Sequence, residues 1–331
     1  MSNTRVENIL KYTAIATGGA GLTGFVLAKS HRLMKEAVFS REEPKEVRSV
    51  RRRMHEKAVA ESPVEQERIA SGQRLKERAS EVLECTARDG AVLVGHYLKH
   101  PAPKRLIIAF HGWRSPWHRD FSPIWEYWQE ECSVVFVEQR AHGESGGEYL
   151  GYGTLERYDV ISWIGRVKEF TDWEADGNKL PIYLAGLSMG ATTVLLASGL
   201  ALPEGVTGIL ADCGFTSMES IWEDVMKHTF RFPKPVREAE LRYLKRCIRV
   251  TGGELCSTLD AMDVCRIPVF FAHGAEDDFV PPRMTEENYE RCKAPKMLYI
   301  GPEAGHGTCF YYNREAYRAE EEKFFSMCEG E

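Results

Sequence analysis

Three features that would place the chain in a specialised class are absent from its sequence. Charge of one sign does not dominate, since the formal net charge is −6 and the isoelectric point is about 6.0, which argues against nucleic acid as the main partner. The nine cysteines are odd in number and include no C-x-x-C pair, which predicts reduced, mostly buried thiols in a reducing compartment. No internal repeat is visible. With 43% hydrophobic and 28% charged residues among 331, the chain is long and apolar enough to bury a sizeable core without a disulfide or a metal.

A fully apolar membrane segment is also missing near the N-terminus. Residues 12–28, which begin at Tyr12 and end at Ala28, are uncharged but diluted by four glycines and three threonines. A spanning helix needs about 20 apolar residues, with a lower limit of roughly 17, so this segment only just meets the criterion for a membrane anchor. A signal peptide ending at Ala28 and a loosely ordered leader are the alternative interpretations. If the segment spans a membrane, the positive-inside rule places the body of the protein on the cytoplasmic side, because basic residues follow it at positions 29, 32, 35 and 41.

The chain divides into three regions. Residues 1–35 form the leader or anchor, residues 36–80 a charged helical extension, and residues 81–331 the catalytic domain. The extension contains Arg51, Arg52 and Arg53, but acidic residues are mixed in throughout. We therefore interpret it as a solvated helix face rather than a surface for anionic lipid.

The third region has the pattern of an α/β domain. Asp89 and Gly90 separate two strand-like runs and predict a hairpin. Six further apolar runs, at 105–110, 133–138, 181–186, 206–211, 267–272 and 297–300, alternate with helical patterns at 123–131, 155–171, 191–200, 283–292 and 313–328. Such alternation predicts a mainly parallel sheet covered by helices on both faces.

One connection in this region is too long for a simple crossover. Residues 217–266 separate two predicted strands and have their own helical character. Because ligands of open α/β sheets bind outside the carboxyl ends of the strands, we expect this insert to form a small helical cap over the site. A second packing layer without substrate contact is the alternative.

A candidate nucleophile lies on a strand-to-helix turn. Residues 186–190 read GLSMG and fit G-x-S-x-G, with an apolar strand before them and a helical run after them. A serine on such a sharp turn needs small neighbours, and the glycines supply them, so Ser188 is the predicted nucleophile. Its hydroxyl needs a base, and His306, between two glycines in the loop after the last strand, is the best candidate.

The imidazole in turn needs a carboxylate. Three acids follow the strand that ends near His273, and we choose Asp277, with Asp278 as the alternative and Asp212 as a weaker rival. The order serine, acid, histidine is the one expected for this architecture. The predicted oxyanion donors are the main-chain N–H groups of Met189 and of Trp113.

The loop that contains Trp113 begins with His111 and Gly112. A histidine such as His111 can serve as a metal ligand or as a base. Its position at the start of this loop favours a structural role instead, in which its side chain supports the loop. The predicted chemistry needs neither a metal nor a cofactor.

Together these motifs resemble the α/β-hydrolase superfamily across about residues 81–325. Within it the chain is similar to bacterial esterases and serine-aminopeptidase-like hydrolases with a short helical cap. The resemblance implies the α/β-hydrolase fold, and it supports Asp277 because two residues separate the family's acid from its His-Gly pair. It also implies that the loop reading RAHGES shapes the cleft. The matching segments are HGW at 111–113, EQRAHGESGG at 138–147, GLSMG at 186–190, HGAEDDFVP at 273–281 and GHG at 305–307.

The expected function is hydrolysis of a small-molecule carboxylic ester through an acyl-enzyme. An amide or peptide hydrolase with the same residues is the alternative, and it would need acidic groups for a peptide terminus. The insert offers four such groups, Glu223, Asp224, Glu238 and Glu240. A non-enzymatic binding module on the same scaffold is disfavoured by the complete set of triad residues.

Overall fold

The computed structural model describes residues 35–36, 38–45, 48–49, 52–53, 60, 62–79, 81–171, 173–175 and 178–330. The segment predicted as a membrane anchor, residues 12–28, lies outside this part of the chain. Among the helices of the described ranges, none has the length and apolarity that a bilayer crossing requires.

Eight strands form the central sheet. In spatial order they run β1, β2, β4, β3, β7, β8, β9 and β10. The first three are joined by antiparallel pairs, and every pair from β4 onward is parallel. The strands are β1 (Glu81–Thr86), β2 (Val92–Leu98), β3 (Arg105–Phe110), β4 (Cys132–Val137), β7 (Ile182–Leu187), β8 (Val206–Asp212), β9 (Val269–Gly274) and β10 (Lys296–Gly301), while β5 (Glu174–Ala175) and β6 (Asn178–Lys179) form a separate short hairpin.

The predicted mainly parallel sheet and its N-terminal hairpin are confirmed. Glu81 pairs with Tyr97 and Thr86 with Val92, and Gly90 turns the chain with a φ of 86°. Strands β3, β4 and β7 are buried along their whole length. Continuous burial of this kind requires apolar residues on both faces of a strand, which is why these strands were recognisable as unbroken apolar runs.

Helices cover both faces of the sheet. On one face α4 and α5 pack with a core cluster that includes Trp163 and Leu184. On the other, α3 and α11 pack with a cluster that includes Trp128, Phe136 and Phe324. The helices are α1 (Pro63–Arg78), α2 (Trp117–Asp120), α3 (Ile124–Trp128), α4 (Glu156–Phe170), α5 (Met189–Ala197), α6 (Met218–Asp224), α7 (Lys234–Val250), α8 (Thr258–Val264), α9 (Arg283–Arg291), α10 (Cys309–Tyr312) and α11 (Arg314–Glu329).

The helix predicted at 123–131 is shorter than the sequence suggested. Regular α-helix ends at Trp128, and the next residues turn more tightly, with Glu130 N–H donating to Tyr127 C=O and Glu131 N–H to Trp128 C=O. Such bonds between residues three apart are common where a helix ends. A separate short helix, α2, precedes it.

The insert at 217–266 divides into two parts. Helices α6 and α7, joined by a π-helical turn (Val225–Thr229), share a core cluster with Met189 and Phe215 near the predicted site. Helix α8 instead contributes Ala261 and Met262 to the core cluster on the face of the sheet that α4 and α5 cover. The first part therefore has the position expected of a cap, and α8 belongs to the packing layer.

The charged extension is more closely packed than its composition suggested. Arg52 and Arg53 are exposed, as expected for a solvated face. Helix α1, however, buries Arg68 and Leu75, and the Arg68 guanidinium pairs with the Asp120 carboxylate, N to O distance 3.4 Å. Helix α1 thus packs on α2 through a buried ion pair as well as apolar contact.

Candidate active site

Ser188 lies at the sharp turn between β7 and α5. Its backbone has a φ of 55° and a ψ of −114°, a conformation that non-glycine residues rarely adopt. The two glycines of the motif are required by close backbone contacts. A Cβ on Gly190 would lie 1.7 Å from Phe110 O, and one on Gly186 would lie 2.3 Å from Gly190 O.

The three residues predicted as nucleophile, acid and base lie together. The Ser188 Oγ to His306 Nε2 distance is 3.0 Å, and the His306 Nδ1 to Asp277 Oδ2 distance is 2.7 Å. They follow β7, β9 and β10, three parallel strands whose carboxyl ends meet at one edge of the sheet. The Ser188 residue is only 5% exposed, while the His306 side chain is 25% exposed.

Asp277 is held by main-chain and side-chain donors. Its Oδ1 accepts hydrogen bonds of 2.9 Å from the N–H groups of Phe279 and Val280, and its Oδ2 lies 3.0 Å from His273 Nε2. Burial alone would raise the pKa of this carboxyl, but the hydrogen bonds from His273 and His306 outweigh it and hold the pKa well below its usual range. The side chain is therefore a carboxylate at neutral pH.

The two rival acids occupy different surroundings. Asp278 is exposed, next to the buried Asp277. Asp212 ends β8, and its main-chain oxygen accepts a 2.8 Å hydrogen bond from Ser188 N, while burial raises the pKa of its carboxyl. The adjacent Cys213 has its Sγ within 4.8 Å of a carboxylate oxygen of Asp277 and of a ring nitrogen of His306. Burial raises the pKa of this thiol well above its usual value, so Cys213 adds no negative charge.

The loop after β3 runs beside Ser188. A Cβ on Gly112 would lie 3.3 Å from Ser188 Cβ. The Gly112 N–H donates to Asp120 Oδ2 at 2.7 Å. Within the described part of the chain, the main-chain N–H groups of Trp113 and Met189 donate no hydrogen bond to the protein. Both groups are therefore available to an anionic ligand at Ser188.

His111 has the position of a buttress. Its Nδ1 lies 2.8 Å from Gly112 O, and its Nε2 accepts a 3.1 Å hydrogen bond from Gln139 N. The ring is fully buried, and burial lowers its pKa. A neutral ring bonded at both nitrogens joins this loop to the chain after β4.

Three residues that support the site had been given no role from the sequence. His273 holds Asp277, Asp120 holds the Gly112 N–H, and His142 Nε2 accepts a 2.9 Å hydrogen bond from Arg114 N. His273 and His142 lie within motifs that carried the family resemblance, so a signal for both was present. Asp120 had none, because it lies eight residues beyond Gly112 in a stretch without a motif.

Aromatic side chains contact one another and the His306 ring in this region. The Trp113 and Trp222 rings lie 6.5 Å apart between centroids, and Trp222 also contacts Tyr152. Phe279 is 41% exposed and its ring lies 5.1 Å from that of His306. The exposed ring of Phe279 therefore offers apolar surface beside the predicted base.

Known proteins resemble this chain in sequence and in fold. The sequence model of the Alpha/beta hydrolase family matches residues 107–320. The uncharacterised protein YqkD of Bacillus subtilis is 29% identical over 230 residues, covering 69% of this chain and 73% of that protein.

Among solved structures, the Pyrococcus furiosus esterase Pf2001 superposes with a TM-score of 0.60 at 20% identity, covering 76% of this chain and 94% of the esterase. Est1E of Butyrivibrio proteoclasticus, solved with ferulic acid bound, gives 0.56 at 17% identity, covering 75% of this chain and 99% of Est1E. These likenesses concern the fold. The match over 107–320, on the fold described above, establishes that the chain belongs to the Alpha/beta hydrolase family.

Proposed function

We propose that the protein is a serine hydrolase that cleaves carboxylic esters of small molecules through an acyl-enzyme. The observation that carries the proposal is the chain of hydrogen bonds from Ser188 Oγ through the His306 ring to Asp277. A serine hydroxyl is a weak nucleophile until a base takes its proton. A buried carboxylate on the far ring nitrogen fixes the tautomer that leaves His306 Nε2 as that base.

The proposed reaction proceeds in two halves. His306 Nε2 takes the proton of Ser188 Oγ, which attacks the carbonyl carbon, and the same proton then passes to the oxygen of the leaving alcohol. The resulting ester of Ser188 is attacked by water, whose proton His306 accepts. Collapse of this second intermediate releases the acid and returns the proton to Ser188 Oγ. Each half places negative charge on the carbonyl oxygen.

The N–H groups of Met189 and Trp113 are the proposed donors to that oxygen. One lies at the start of α5 and one in the loop after β3, and neither donates a hydrogen bond elsewhere within the described ranges. Preorganised donors of this kind stabilise developing charge at no further cost of ordering.

Ion pairing and burial of the acidic groups in the insert favour esters over peptides as substrates. Glu223 is paired with Arg237 at 3.0 Å, Asp224 with Arg283 at 2.6 Å, and Glu238 with Lys234 at 3.9 Å. Glu240 is buried in α7. These carboxylates therefore form no open acidic pocket for a peptide amino terminus. The likeness to Pf2001, which is named an esterase, and to Est1E, solved with ferulic acid, points the same way.

A serine-directed fluorophosphonate and a p-nitrophenyl ester test the proposal. The wild-type chain should be labelled and should release nitrophenolate, whereas Ser188→Ala should not be labelled and should lose turnover by a factor on the order of 10⁴ to 10⁶. Ser198→Ala is the matched control, since Ser198 follows the last residue of the same helix and its hydroxyl donates to Leu195 O. Labelling of Ser188→Ala would place the nucleophile elsewhere. A panel of aminoacyl amides in the same assay tests the peptidase alternative.

A further inference from the structure

A short N-terminal segment lies against the loop that carries Trp113. We call residues 38–41 the strap. Val38 and Phe39 are fully buried, although the surrounding sequence is highly charged. The strap pairs with the chain near residue 149: Arg41 N–H donates to Glu148 O at 2.8 Å, and Leu150 N–H to Phe39 O at 2.7 Å. The strap is thus an integral part of the domain. It lies more than a hundred residues along the sequence from residues 148–150, with which it pairs.

The Arg41 side chain ties the strap to a second loop. Its guanidinium donates to the main-chain oxygens of Gly143, at 2.6 Å, and of Ser145. These residues follow His142, whose ring accepts the Arg114 N–H. The strap therefore bonds to the loop after β4, and that loop in turn is bonded to Arg114 in the loop after β3.

Arg114 makes the most direct connection between the strap and the site. Its guanidinium donates to Ser40 O at 2.7 Å and to the oxygens of Glu36 and Arg41 at 3.4 Å. Its own backbone is in the left-handed region, with a φ of 53°, which an arginine adopts only when its surroundings hold it there. The strap carbonyls hold the side chain of Arg114 and His142 holds its N–H.

Trp113 is tied to the same segment. Its indole Nε1–H donates to Val38 O at 3.4 Å, and the Tyr152 hydroxyl donates to the same oxygen at 3.3 Å. The residue that carries the proposed oxyanion donor and the residue after it are thus both bonded to the strap. A shift of the strap would move Trp113 through both its side chain and its C-terminal neighbour, and with Trp113 the peptide that carries its own N–H.

We infer that the strap is a positioning element for the Trp113 N–H, acting through Arg114, and that it sets the turnover number rather than substrate affinity. The inference rests on the proposed function, since it concerns the second oxyanion donor. A donor is effective only when it lies about 2.7–3.1 Å from the position that the oxyanion takes in the transition state. A displacement of about 1 Å can cost about 100-fold in rate.

Arg114→Ala, Arg114→Lys and Arg48→Ala test the inference in the full chain. Arg48 is the matched control because it is an exposed arginine of the same N-terminal region whose guanidinium bonds to Glu42 and Glu43. Arg114→Ala should lower kcat by about 10- to 100-fold and leave KM within about twofold, as expected when only a transition-state interaction is lost. Arg114→Lys should recover part of the loss, because an ammonium can still reach Ser40 O. Arg48→Ala should match the wild type.

A milder variant keeps the test decisive if Arg114→Ala fails to fold. Trp113→Phe removes the indole N–H to Val38 but retains an aromatic ring and the main-chain donor, and kcat should fall about fivefold, the equivalent of one neutral hydrogen bond. An unchanged kcat in this variant and in folded Arg114→Ala, or a change confined to KM, would overturn the positioning role. Failure of the proposed function would look different, because wild-type turnover would then be independent of Ser188.

Discussion

Single residues of the site owe their position to backbone contacts as much as to their side chains. Ser188 keeps its left-handed backbone because Asp212 O accepts its N–H and because Gly190 lets α5 approach β3. The turn at Ser188 could be predicted from the sequence because both of its requirements fix residue types. The chemistry needs a serine, and the close backbone contacts need glycines.

Three acids, Asp277, Asp278 and Asp212, fit the sequence pattern for the partner of His306. Asp277 is buried, whereas Asp278 is exposed. Asp277 also accepts a hydrogen bond from His306, whereas the Asp212 carboxyl is buried in a way that raises its pKa. Neither property has a local sequence signature, and only the spacing from the His-Gly pair favoured Asp277. The roles proposed for these residues stay predictions until they are tested by substitution.

Asp277→Asn should lower kcat on a p-nitrophenyl ester by about 10⁴-fold, because the amide no longer fixes the reactive tautomer of His306. Asp278→Asn is the control and should change kcat less than about threefold, since an exposed neighbouring charge is largely screened by solvent. Steady-state kinetics at pH 8 measure both. A larger loss in Asp278→Asn than in Asp277→Asn would show that the acid had been assigned one residue too early.

Gly190→Ala should prevent correct folding of the turn at Ser188, because the new Cβ would overlap Phe110 O. Gly165→Ala is the contrasting variant: Gly165 lies inside α4 with open space at its Cβ position. Alanine there should stabilise the fold by about 0.5–1 kcal/mol, the difference in helix propensity. Soluble yield and urea unfolding compare the two. A stable, active Gly190→Ala protein would contradict the close approach of α5 to β3.

At the scale of elements, the sequence predicted strands better than helices. Continuous apolar runs marked β3, β4 and β7, whereas the helical pattern at 123–131 gave no sign that α3 ends at Trp128. The length of the insert predicts a separate helical unit, but its division into α6 and α7 on one side and α8 on the other depends on which core cluster each helix meets. Such a choice is made by tertiary contacts.

Helix α11 contains a buried acid that makes stability depend on pH. Burial raises the pKa of Glu321 to about 8, against the opposing effect of the hydrogen bond that Trp128 Nε1 donates at 3.2 Å. The folded protein thus holds a proton that the unfolded chain releases above its ordinary pKa of about 4.5. Stability therefore decreases as pH rises between these two values.

Glu321→Gln should remove this dependence, since the amide oxygen still accepts from Trp128 and no charge is buried at high pH. We expect the variant to have a higher Tm than the wild type at pH 9 and a nearly equal Tm at pH 5, measured by circular dichroism. Glu315→Gln, at an exposed position of the same helix, is the control and should shift Tm equally at both pH values. If Glu321→Gln raised Tm by the same amount at pH 5 and at pH 9, the proposal that Glu321 is protonated in the folded protein would be contradicted.

At the scale of the whole molecule, the N-terminal region is the part that the sequence described least well. Residues 36–80 read as a charged extension, yet the strap and α1 are both packed on the domain. The acceptors in the strap's side-chain hydrogen bonds are main-chain oxygens. Every residue has such an oxygen, so the sequence does not show which acceptor a given arginine or aromatic donor will meet. Membrane anchoring by residues 12–28 and the three domain boundaries stay predictions.

Two truncations separate the leader from the strap. Removal of residues 1–34 should leave turnover of a soluble ester nearly unchanged, because every residue of the strap and of the site is retained. Removal of residues 1–43 should lower turnover and Tm, because it deletes the buried Val38 and Phe39. Equal activity of the two forms would show that the strap is dispensable. If residues 12–28 anchor the protein, the full chain should sediment with membranes and the shorter form should not.

The position of the strap has a consequence for how the protein responds to mechanical load. Tension applied at residue 35 would reach the domain first through the strap, whose main-chain bonds to Glu148 and Leu150 run antiparallel. The next bonds to bear it would be those of Arg114 and Trp113. Attachment of the N-terminus to a bead, a surface or a large moving partner would therefore strain the loop that carries Trp113 before it strained the sheet.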